Sequence, residues 1–578
     1  MTGAEILIDA LKREGVDILF GYPGGVVLPI FNVLYRTPEL RLILTRHEQA
    51  ATHAADGYAR ATGKTGVCLV TSGPGATNTI TGLATAKLDS IPLVVISGQV
   101  KTSVIGTDAF QETDMVGLTR PICKHNYLVQ RVEELPLVIK NAFHIARSGR
   151  PGPVAVDLPA DVSAAELRDA AYPDEPCVPS YQPTIKGNPR QIQKLAEAIR
   201  RAQRPTVLAG GGVVGSGAGG ELVRFLEKTN IPAALTLMAL GCLPEGHDLF
   251  LGMPGMHGRT SANHALTECD LLIGIGTRFE DRVTGNLDGF APGAVVSHID
   301  IDPSEIGKNV KTHIPIVGDV RSVLADLIEA VEPRPVGPWN RTIREWRDRH
   351  PLVYNQDPAD EILPQYVIDR INRWIDPGAI IATDVGQHQM WSALFIRHRS
   401  PRSFLSSGGL GTMGFGLPAA MGAALGCPGR QVVLISGDGS IQMNIQELAT
   451  CAVNRIPVKI VVLNNSCLGM VRQWQELFYN AAYSKICLKE KPDCRPACSG
   501  QRPDCPHSYW PDFVRVAEAN GLPGFRATKP GEVDDVLRRG FGADGPVLME
   551  FAVKNSENVF PMVPGGKAIN QILYGGAG

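Results

Sequence analysis

Two short segments decide the fold: VVLISGDGSIQMN at residues 432–444 and VVLNNSCLG at residues 461–469. Each begins with a β-branched apolar run of the kind that forms a buried strand in a parallel sheet. The first run ends in Gly437-Asp438-Gly439 and the second in Asn464-Asn465, with 24 residues between the two motifs. Glycines let the backbone approach a phosphate, and the helix expected after Ser440 offers free N–H groups to an anion. Asp438 and the Asn465 amide oxygen are hard oxygen ligands that suit Mg²⁺. The spacing therefore predicts a metal-anchored diphosphate site.

The size and charge of the chain limit its class. At 578 residues it is too long for one core and predicts three or four domains. A formal net charge of −2 gives no basic surface, so we expect neither nucleic acid nor a membrane as a partner. No run approaches 18 uninterrupted apolar residues, and MTGAEILIDALKREG has the pattern of an amphipathic helix, not of a signal peptide. We expect a cytoplasmic protein.

Three blocks of sequence share one pattern, in which short apolar runs such as GVCLV, TVLAG and AIIAT alternate with helical stretches. This pattern is typical of βαβ units and predicts an α/β fold with three doubly wound parallel-sheet domains. Proline-rich linkers place the domains at residues 1–165, 188–332 and 361–555, followed by a C-terminal tail at 556–578.

Glycine-rich segments follow several of the predicted strands. They are TSGPGATNT at 71–79, DVGQHQMW at 384–391 and GGLGTMGFGLPAA at 408–420. Any one of them alone is best interpreted as a tight turn. Because open parallel sheets bind ligands at the carboxyl ends of their strands, the three together with the Asp438 and Asn465 motifs predict a cofactor cradle.

A further acidic residue, Glu48, lies in RHEQAATHAADGYARATG at residues 46–63, between a predicted strand and a predicted helix. Ala50, Ala51, Ala54 and Ala55 form a small-residue face on that helix. Glu48 is either an ordinary helix-start acid, favoured by the helix dipole, or a catalytic carboxylate. The residues alone leave both interpretations open.

The Gly-Asp-Gly and Asn-Asn motifs at this spacing resemble the signature of thiamine diphosphate enzymes. The resemblance implies that the third metal ligand is the backbone carbonyl of Cys467. It also implies that Glu48 is catalytic, because a Glu in this RHE context hydrogen-bonds N1′ of the aminopyrimidine in that family. Such proton sharing with a weakly basic nitrogen is strong only where water is excluded.

From GYPGG at 21–25 to PMVPGG at 561–566, the chain resembles the catalytic subunit of acetohydroxyacid synthase (acetolactate synthase). The resemblance implies an enzyme that decarboxylates pyruvate and joins the hydroxyethyl unit held on thiamine diphosphate to pyruvate or 2-ketobutyrate. The products would be 2-acetolactate or 2-aceto-2-hydroxybutyrate, at the first common step of branched-chain amino acid biosynthesis. It further implies a homodimer or homotetramer with shared active sites and a small regulatory subunit.

Five pocket residues follow from this resemblance. GTDAFQE contains Phe110 and Gln111, which line the reaction pocket in the family, and GTMG contains Met413, which holds the cofactor in a V shape. Trp474 would favour 2-ketobutyrate as second substrate, and Arg282 would bind its carboxylate. The planar guanidinium of arginine can bind a carboxylate through two hydrogen bonds, and contact with an indole face can favour the substrate that carries one extra methyl group. Without their motifs, the two would be interpreted as a core tryptophan and a surface arginine.

The resemblance also implies two sets of cofactor-binding residues. The thiamine diphosphate set is Tyr22, Pro23, Gly24, Gly25, Thr71, Gly73, Asn78, Gly386, Gln387, His388, Gly411, Met413, Gly437, Gly439, Ser440, Gly469 and Met470. The FAD set, in the central block, is Arg150, Gly210, Gly211, Thr236, Leu237, Met256, His257, Gly276, Arg278, Asp300, Ile301 and Asp319. AGGGVVGSGAGG is not a clean dinucleotide fingerprint, so the FAD prediction depends on the resemblance.

Two rival functions remain. One is another flavin-containing thiamine diphosphate enzyme, such as pyruvate oxidase or glyoxylate carboligase. Glu48 argues against the carboligase, which lacks it, and Trp474 with Arg282 favours the synthase. The other rival is a non-catalytic relative that binds a nucleotide or a partner. The presence of Glu48, Asp438 and Asn465 argues against that relative.

Four of the 12 cysteines cluster in KICLKEKPDCRPACSGQRPDCPHSYW at 485–510. Compared with the commoner pattern of the family that the chain resembles, this segment is an insert. Cys487, Cys494, Cys498 and Cys505 follow C-x₆-C-x₃-C-x₆-C, unlike most zinc ribbons. A structural Zn²⁺, a disulfide or redox switch and an unlinked loop all remain open. Because the insert follows Trp474, we expect it near the mouth of the site.

Overall fold

The computed structural model describes residues 1–494, 505, 507, 509 and 511–575. Its strands form three six-stranded parallel sheets, which confirms the predicted α/β class with three parallel-sheet units. No helix in these ranges is both long and apolar enough to cross a membrane.

The first sheet has the order β2-β1-β3-β4-β6-β5 and consists of β1 (Ile18–Tyr22), β2 (Arg41–Leu44), β3 (Gly66–Val70), β4 (Leu93–Gln99), β5 (His125–Leu128) and β6 (Pro153–Pro159). Successive residues of β3 point into two different cores, Val67 into one and Cys68 into the other. Helices cover both faces, as a doubly wound sheet requires. They are α1 (Gly3–Arg13), α2 (Leu28–Tyr35), α3 (Glu48–Thr62), α4 (Pro74–Thr77), α5 (Ile80–Asp89), α6 (Met115–Thr119), α7 (Leu135–Arg147) and α8 (Ala160–Ala164).

The second sheet has the order β12-β11-β10-β7-β8-β9 and consists of β7 (Pro205–Ala209), β8 (Ala233–Leu235), β9 (Phe250–Gly252), β10 (Leu271–Ile275), β11 (Val295–Asp300) and β12 (Ile314–Val317). Its helices are α9 (Pro189–Arg201), α10 (Gly211–Gly215), α11 (Gly219–Thr229), α12 (Thr260–Glu268), α13 (Asp281–Thr284), α14 (Val320–Ala330) and, toward the next unit, α15 (Pro338–Arg349).

The third sheet has the order β14-β13-β15-β16-β18-β17 and consists of β13 (Ile380–Thr383), β14 (Phe404–Leu405), β15 (Val432–Gly437), β16 (Val458–Asn464), β17 (Gly524–Ala527) and β18 (Val547–Ala552). Its helices are α16 (Pro364–Ile371), α17 (Gln387–Phe395), α18 (Gly416–Gly426), α19 (Asp438–Ile441), α20 (Glu447–Asn454), α21 (Gly469–Phe478), α22 (Phe513–Ala519) and α23 (Val533–Gly542). The helix expected after Ser440 begins earlier, at Asp438, so Ser440 lies inside its single turn.

The small-residue face of α3 packs against α18 of the third unit. Ala50, Ala51, Ala54 and Ala55 are all buried, as the sequence predicted for one face of this helix. A Cβ on Gly422 would overlap the carbonyl oxygen of Ala54, so the two backbones are in direct contact. This contact fixes the first unit to the third and positions Glu48, the first residue of α3.

Gly422→Ala is therefore expected to destabilise the protein by about 1–3 kcal/mol, the usual cost of overpacking. Thermal unfolding of the full chain should show a lower apparent Tm. Gly378→Ala is the matched control, because a Cβ there meets no atom of the described residues within 4 Å. Equal melting of both variants would contradict the close contact.

Candidate functional site

Asp438 and Asn465 follow adjacent strands, β15 and β16, whose ends pair Gly437 with Leu463. Asp438 is only 2% exposed, and its Oδ2 has no hydrogen-bond partner among the described residues. Burial raises the pKa of this carboxyl to about 7, although the backbone N–H groups of Gly439 and Ser466 act in the opposite direction. A buried carboxylate oxygen without a partner is unfavourable, and a bound cation would provide the missing interaction.

The loop after β16 turns sharply at Ser466, which has a left-handed φ of 58°. The Asn465 side-chain oxygen accepts the Cys467 N–H at 3.1 Å, and the amide oxygen has a second lone pair to offer. Burial raises the pKa of the Cys467 thiol to about 12. Its side chain is therefore a neutral thiol, and only the backbone carbonyl fits the predicted ligand role.

Asn464 has a structural role that the sequence did not distinguish from that of Asn465. Its amide nitrogen donates to Glu550 at 2.7 Å, and its oxygen accepts the Ser466 N–H at 3.0 Å. Glu550 lies on β18 and is buried. Asn464 thus links the loop after β16 to β18, the neighbouring strand in the sheet, and orients Asn465.

The start of α17 lies beside the Asp438 loop. A Cβ on Gly437 would lie 2.8 Å from Nδ1 of His388, so the imidazole packs directly against that glycine. Burial lowers the pKa of His388 to about 3, and its Nε2 has no partner among the described residues. Gln387 donates to Gln473 at 2.9 Å, while its own oxygen is unpaired within the same ranges. This end of α17 therefore offers uncharged polar groups to a ligand.

A cavity of about 1090 Å³ lies where the three units meet, and first-unit residues such as Arg60 and Asp89 line it together with residues of the central and third units. All 12 residues of the predicted FAD set line it, together with six residues predicted for catalysis or thiamine diphosphate binding: Arg282, Gly386, Gly411, Met413, Met470 and Trp474. The Asp438 loop adjoins this cavity, because a Cβ on Gly439 would lie 3.7 Å from the Met413 methyl carbon and Ser440 donates to Val385 at 2.7 Å.

Two glycine-rich loops of the central unit meet at the cavity wall. They follow the adjacent strands β7 and β10, and a Cβ on Gly276 would lie 2.7 Å from the Gly212 Cα. Gly276 has a left-handed φ of 57°, which favours glycine. His257 also lines the wall, and its Nδ1 has no partner among the described residues. Backbone close to a ligand and a free buried nitrogen fit a dinucleotide such as FAD.

Arg150, in the same set, is already paired inside the protein. Its guanidinium lies 2.6 Å from Glu305 and 3.2 Å from Asp302, and it donates to Ser90 at 2.9 Å. Burial of Asp300, at the end of β11, raises the pKa of that carboxyl to about 6. The charges on this side of the cavity are thus largely balanced within the chain.

Trp474 and Arg282 meet at one end of the cavity. The Arg282 guanidinium carbon lies 6.0 Å from the indole ring, and the arginine side chain is 58% exposed. Arg282 is held by its backbone, since its carbonyl accepts the Met256 N–H at 2.8 Å. The tail covers the indole, because a Cβ on Gly565 would lie 3.7 Å from Trp474. The structure therefore presents a cation and an aromatic face to the same space.

The remaining predicted residues form a separate cluster in the first unit. We call this cluster the Glu48 group: Tyr22, Pro23, Gly24, Gly25, Glu48, Thr71, Gly73, Asn78, Phe110 and Gln111. Glu48 accepts the Asn78 amide at 3.0 Å, and a Cβ on Gly73 would lie 2.9 Å from that of Gln111. Phe110 is 89% exposed. None of the ten lines the cavity, so the predicted site is not one continuous cavity within a single chain.

Sequence reasoning missed a buried ion network that joins the first and third units. Arg60 on α3 pairs with Asp56 and, at 2.8 Å, with Asp89, and it donates to the Ser406 carbonyl at 2.8 Å. Asp89 accepts the Gly409 N–H at 2.7 Å. The sequence did offer one indication of this network, since Asp56 and Arg60 are charged residues inside an alanine-rich helix. The network orders the glycine-rich segment that lines the cavity.

The four-cysteine zinc set is not supported by the described residues. Cys494 instead groups with Asp493 and His507, whose candidate ligand atoms all lie within 4.8 Å of one another. Cys487 and Cys505 do not belong to this group. Cys498 lies outside the described residues.

Three family descriptions match the chain in order: the thiamine pyrophosphate enzyme N-terminal TPP binding domain at residues 1–118, the central domain at 192–327 and the C-terminal TPP binding domain at 384–551. Together they cover well over half of the chain. The fold and these matches define a thiamine pyrophosphate enzyme.

Full-length relatives narrow the family further. The chain is 46% identical to an acetolactate synthase large subunit of Corynebacterium glutamicum, over 99% of this chain and 90% of that protein. It is 48% identical to a probable acetolactate synthase large subunit of Methanocaldococcus jannaschii, over 99% and 95%, and 46% identical to an acetolactate synthase large subunit of Buchnera aphidicola, over 99% and 98%. The chain belongs to the acetolactate synthase large-subunit family.

Proposed function

We propose that this chain decarboxylates pyruvate and joins the resulting two-carbon unit to pyruvate or 2-ketobutyrate, giving 2-acetolactate or 2-aceto-2-hydroxybutyrate. The observation that supports this most is the meeting of Arg282 and Trp474 at one wall of the cavity. Arg282 would bind the carboxylate of the second 2-ketoacid, and the indole would contact its alkyl group. This is the first common step of branched-chain amino acid synthesis.

Thiamine diphosphate would supply the electron sink for the decarboxylation. We assign residues 361–555 to its diphosphate, with Mg²⁺ held by Asp438, Asn465 and the Cys467 carbonyl. The Asp438 Oδ2, which has no hydrogen-bond partner among residues that the structure describes, supports this assignment. We propose that residues 1–165 bind the aminopyrimidine and that residues 188–332 bind FAD. The two glycine-rich loops that meet at Gly212 and Gly276, together with His257, support the FAD assignment.

Glu48 would hold a proton at N1′ of the aminopyrimidine. Asn78 donates to one carboxylate oxygen, and the other lies beside Gly75, where an added Cβ would be 3.3 Å away. In the single chain Glu48 is only half-buried. A surface that covers it would exclude water and strengthen the proton-sharing hydrogen bond.

The separation of the Glu48 group from the cavity supports a site shared between two copies of the chain. A homodimer is then the smallest active form, and a homotetramer is compatible with it. The large-subunit relatives support a small regulatory subunit as a further partner. We place the enzyme in the cytoplasm, where pyruvate is available.

The test of this function is the identity of the products. The purified chain, supplied with thiamine diphosphate, Mg²⁺ and FAD, should convert pyruvate into 2-acetolactate. Added 2-ketobutyrate should divert it to 2-aceto-2-hydroxybutyrate. Oxygen-dependent oxidation of pyruvate without a condensed product would instead identify a flavin-using oxidase.

Trp474→Leu is expected to lower the preference for 2-ketobutyrate over pyruvate by about tenfold, since the value of one methyl contact is roughly 1–3 kcal/mol. Arg282→Ala should weaken the use of both second substrates. Competition assays with the two 2-ketoacids measure both effects. Trp374→Leu is the control, because this half-buried tryptophan stacks on Phe541 away from the cavity. A wild-type product ratio for Trp474→Leu would contradict the pocket assignment.

A further inference from the structure

The first residues of the insert pack on the loop that follows Asn465. Leu468 donates its N–H to the Ile486 carbonyl at 2.9 Å, and Leu488 donates to the Ser466 carbonyl at 3.0 Å. These bonds flank an antiparallel bridge between Cys467 and Cys487. A Cβ on Gly439 would lie 3.5 Å from the Leu488 side chain. The first residues of the insert therefore cover the loop proposed to hold the diphosphate.

The far end of the insert returns to the same place. Gln442 donates its amide both to the Tyr509 hydroxyl at 2.8 Å and to the Asp438 carbonyl at 3.0 Å. The Tyr509 ring lies 5.6 Å from that of Phe513, a fully buried residue of the third unit. Both ends of the insert are thus anchored beside Asp438.

Asp493, Cys494 and His507 come together between these two anchors. His507 Nε2 lies 3.3 Å from a carboxylate oxygen of Asp493, and the His507 side chain is only 11% exposed. The Cys494 sulfur accepts the Lys491 N–H at 3.3 Å. Thiolate, imidazole and carboxylate are the three side-chain ligands that zinc uses in proteins.

We propose that Asp493, Cys494 and His507 bind one borderline-soft divalent metal ion of the Zn²⁺ class. Zinc–ligand bonds of roughly 2.0–2.3 Å require ligand atoms somewhat closer than 4.8 Å, so the three side chains would move together when the ion binds. A water molecule would complete a tetrahedral shell. His507 lies 13 residues after Cys494, so the ion would close that loop and join the two ends of the insert. The ordinary alternative is a His–Asp ion pair beside an uninvolved cysteine.

Metal binding to the untagged full chain tests the proposal. After chelation, dialysis and reloading with Zn²⁺, wild type should retain one Zn²⁺ per chain through desalting, measured by elemental analysis. Cys494→Ser and His507→Asn should lose it. Controls that should keep it are Cys177→Ser, at an exposed cysteine, and His247→Asn, at a histidine that also faces a carboxylate. Absence of Zn²⁺ in wild type, or its retention in both ligand variants, would overturn the proposal.

Co²⁺ in place of Zn²⁺ keeps the test decisive if a variant folds poorly. Wild type should show sulfur-to-cobalt charge-transfer absorption, and Cys494→His should bind Co²⁺ without that absorption. A cobalt spectrum lacking this band in wild type would exclude Cys494 as a ligand. Asp438→Ala should bind Zn²⁺ as wild type does, which separates this site from the proposed Mg²⁺ site.

One consequence depends on the proposed function. Because both anchors of the insert contact the Asp438 loop, removal of the ion should raise the thiamine diphosphate concentration needed for half-maximal activity severalfold, with little change at saturation. His507→Asn should reproduce this shift, and His247→Asn should not. An unchanged cofactor requirement in the Zn²⁺-free protein would refute this coupling while leaving the metal content as measured.

Discussion

Asp438→Ala is expected to abolish the binding of thiamine diphosphate while the chain stays folded. The variant removes the buried carboxylate whose Oδ2 has no hydrogen-bond partner in the described part of the chain, and with it the main charge available to hold Mg²⁺. Changes in residues that only support a metal ligand typically cost 10–100-fold, so loss of the ligand itself should exceed about 100-fold. Isothermal titration with cofactor in the presence of Mg²⁺ measures the effect.

Asp369→Asn is the matched control for this variant. Asp369 lies in the same unit and accepts the Tyr354 hydroxyl at 2.9 Å, but does not line the cavity. It should bind the cofactor as wild type does. Full activity of wild type after exhaustive chelation and cofactor removal would contradict the metal-anchored diphosphate site.

Glu48→Gln should leave the fold intact and slow exchange of the cofactor C2 proton by at least about 100-fold, the lower end of a general acid–base contribution. Glutamine keeps the size of the side chain and a partner for Asn78 but cannot accept a shared proton as a carboxylate does. Hydrogen–deuterium exchange at C2, followed by NMR in quenched samples, is the direct measurement.

Glu221→Gln provides the comparison for Glu48→Gln. Glu221 also lies in the first turn of a helix and pairs with Arg224 and Arg321 away from the cavity. The C2 proton of the cofactor should exchange in Glu221→Gln at the wild-type rate. If Glu48→Gln exchanged equally fast, Glu48 would be only a helix-start acid.

The sequence predicted the central strands better than the edges of the sheets. β15 and β16 were predicted because β-branched runs between glycine-rich turns are typical of buried parallel strands. β5, with the sequence HNYL, and β17, with GFRA, are short, partly exposed edge strands without an apolar run. Their pairing depends on the neighbouring strand, a tertiary effect that periodicity does not detect.

The loops of the candidate site were predictable for the same reason. Residues that follow parallel strands must gather at one edge of a sheet, so Asp438 and Asn465 had to lie close together. The resemblance implied a site shared between copies, but the residues alone did not place the Glu48 group outside the cavity, because its position depends on the packing of α3 on α18. The Arg60 network and the grouping of Cys494 with His507 likewise depend on contacts between residues far apart in sequence.

The separation of the Glu48 group from the cavity has a genetic consequence. If two copies share each site, a Glu48→Gln chain damages the site to which it contributes its first unit, and an Asp438→Ala chain damages the site to which it contributes its third unit. A mixed dimer of these chains contains one site with both defects and one with neither. Two inactive alleles, one altered in the first unit and one in the third, would then restore growth when expressed together. Two alleles that are both altered in the same unit would not.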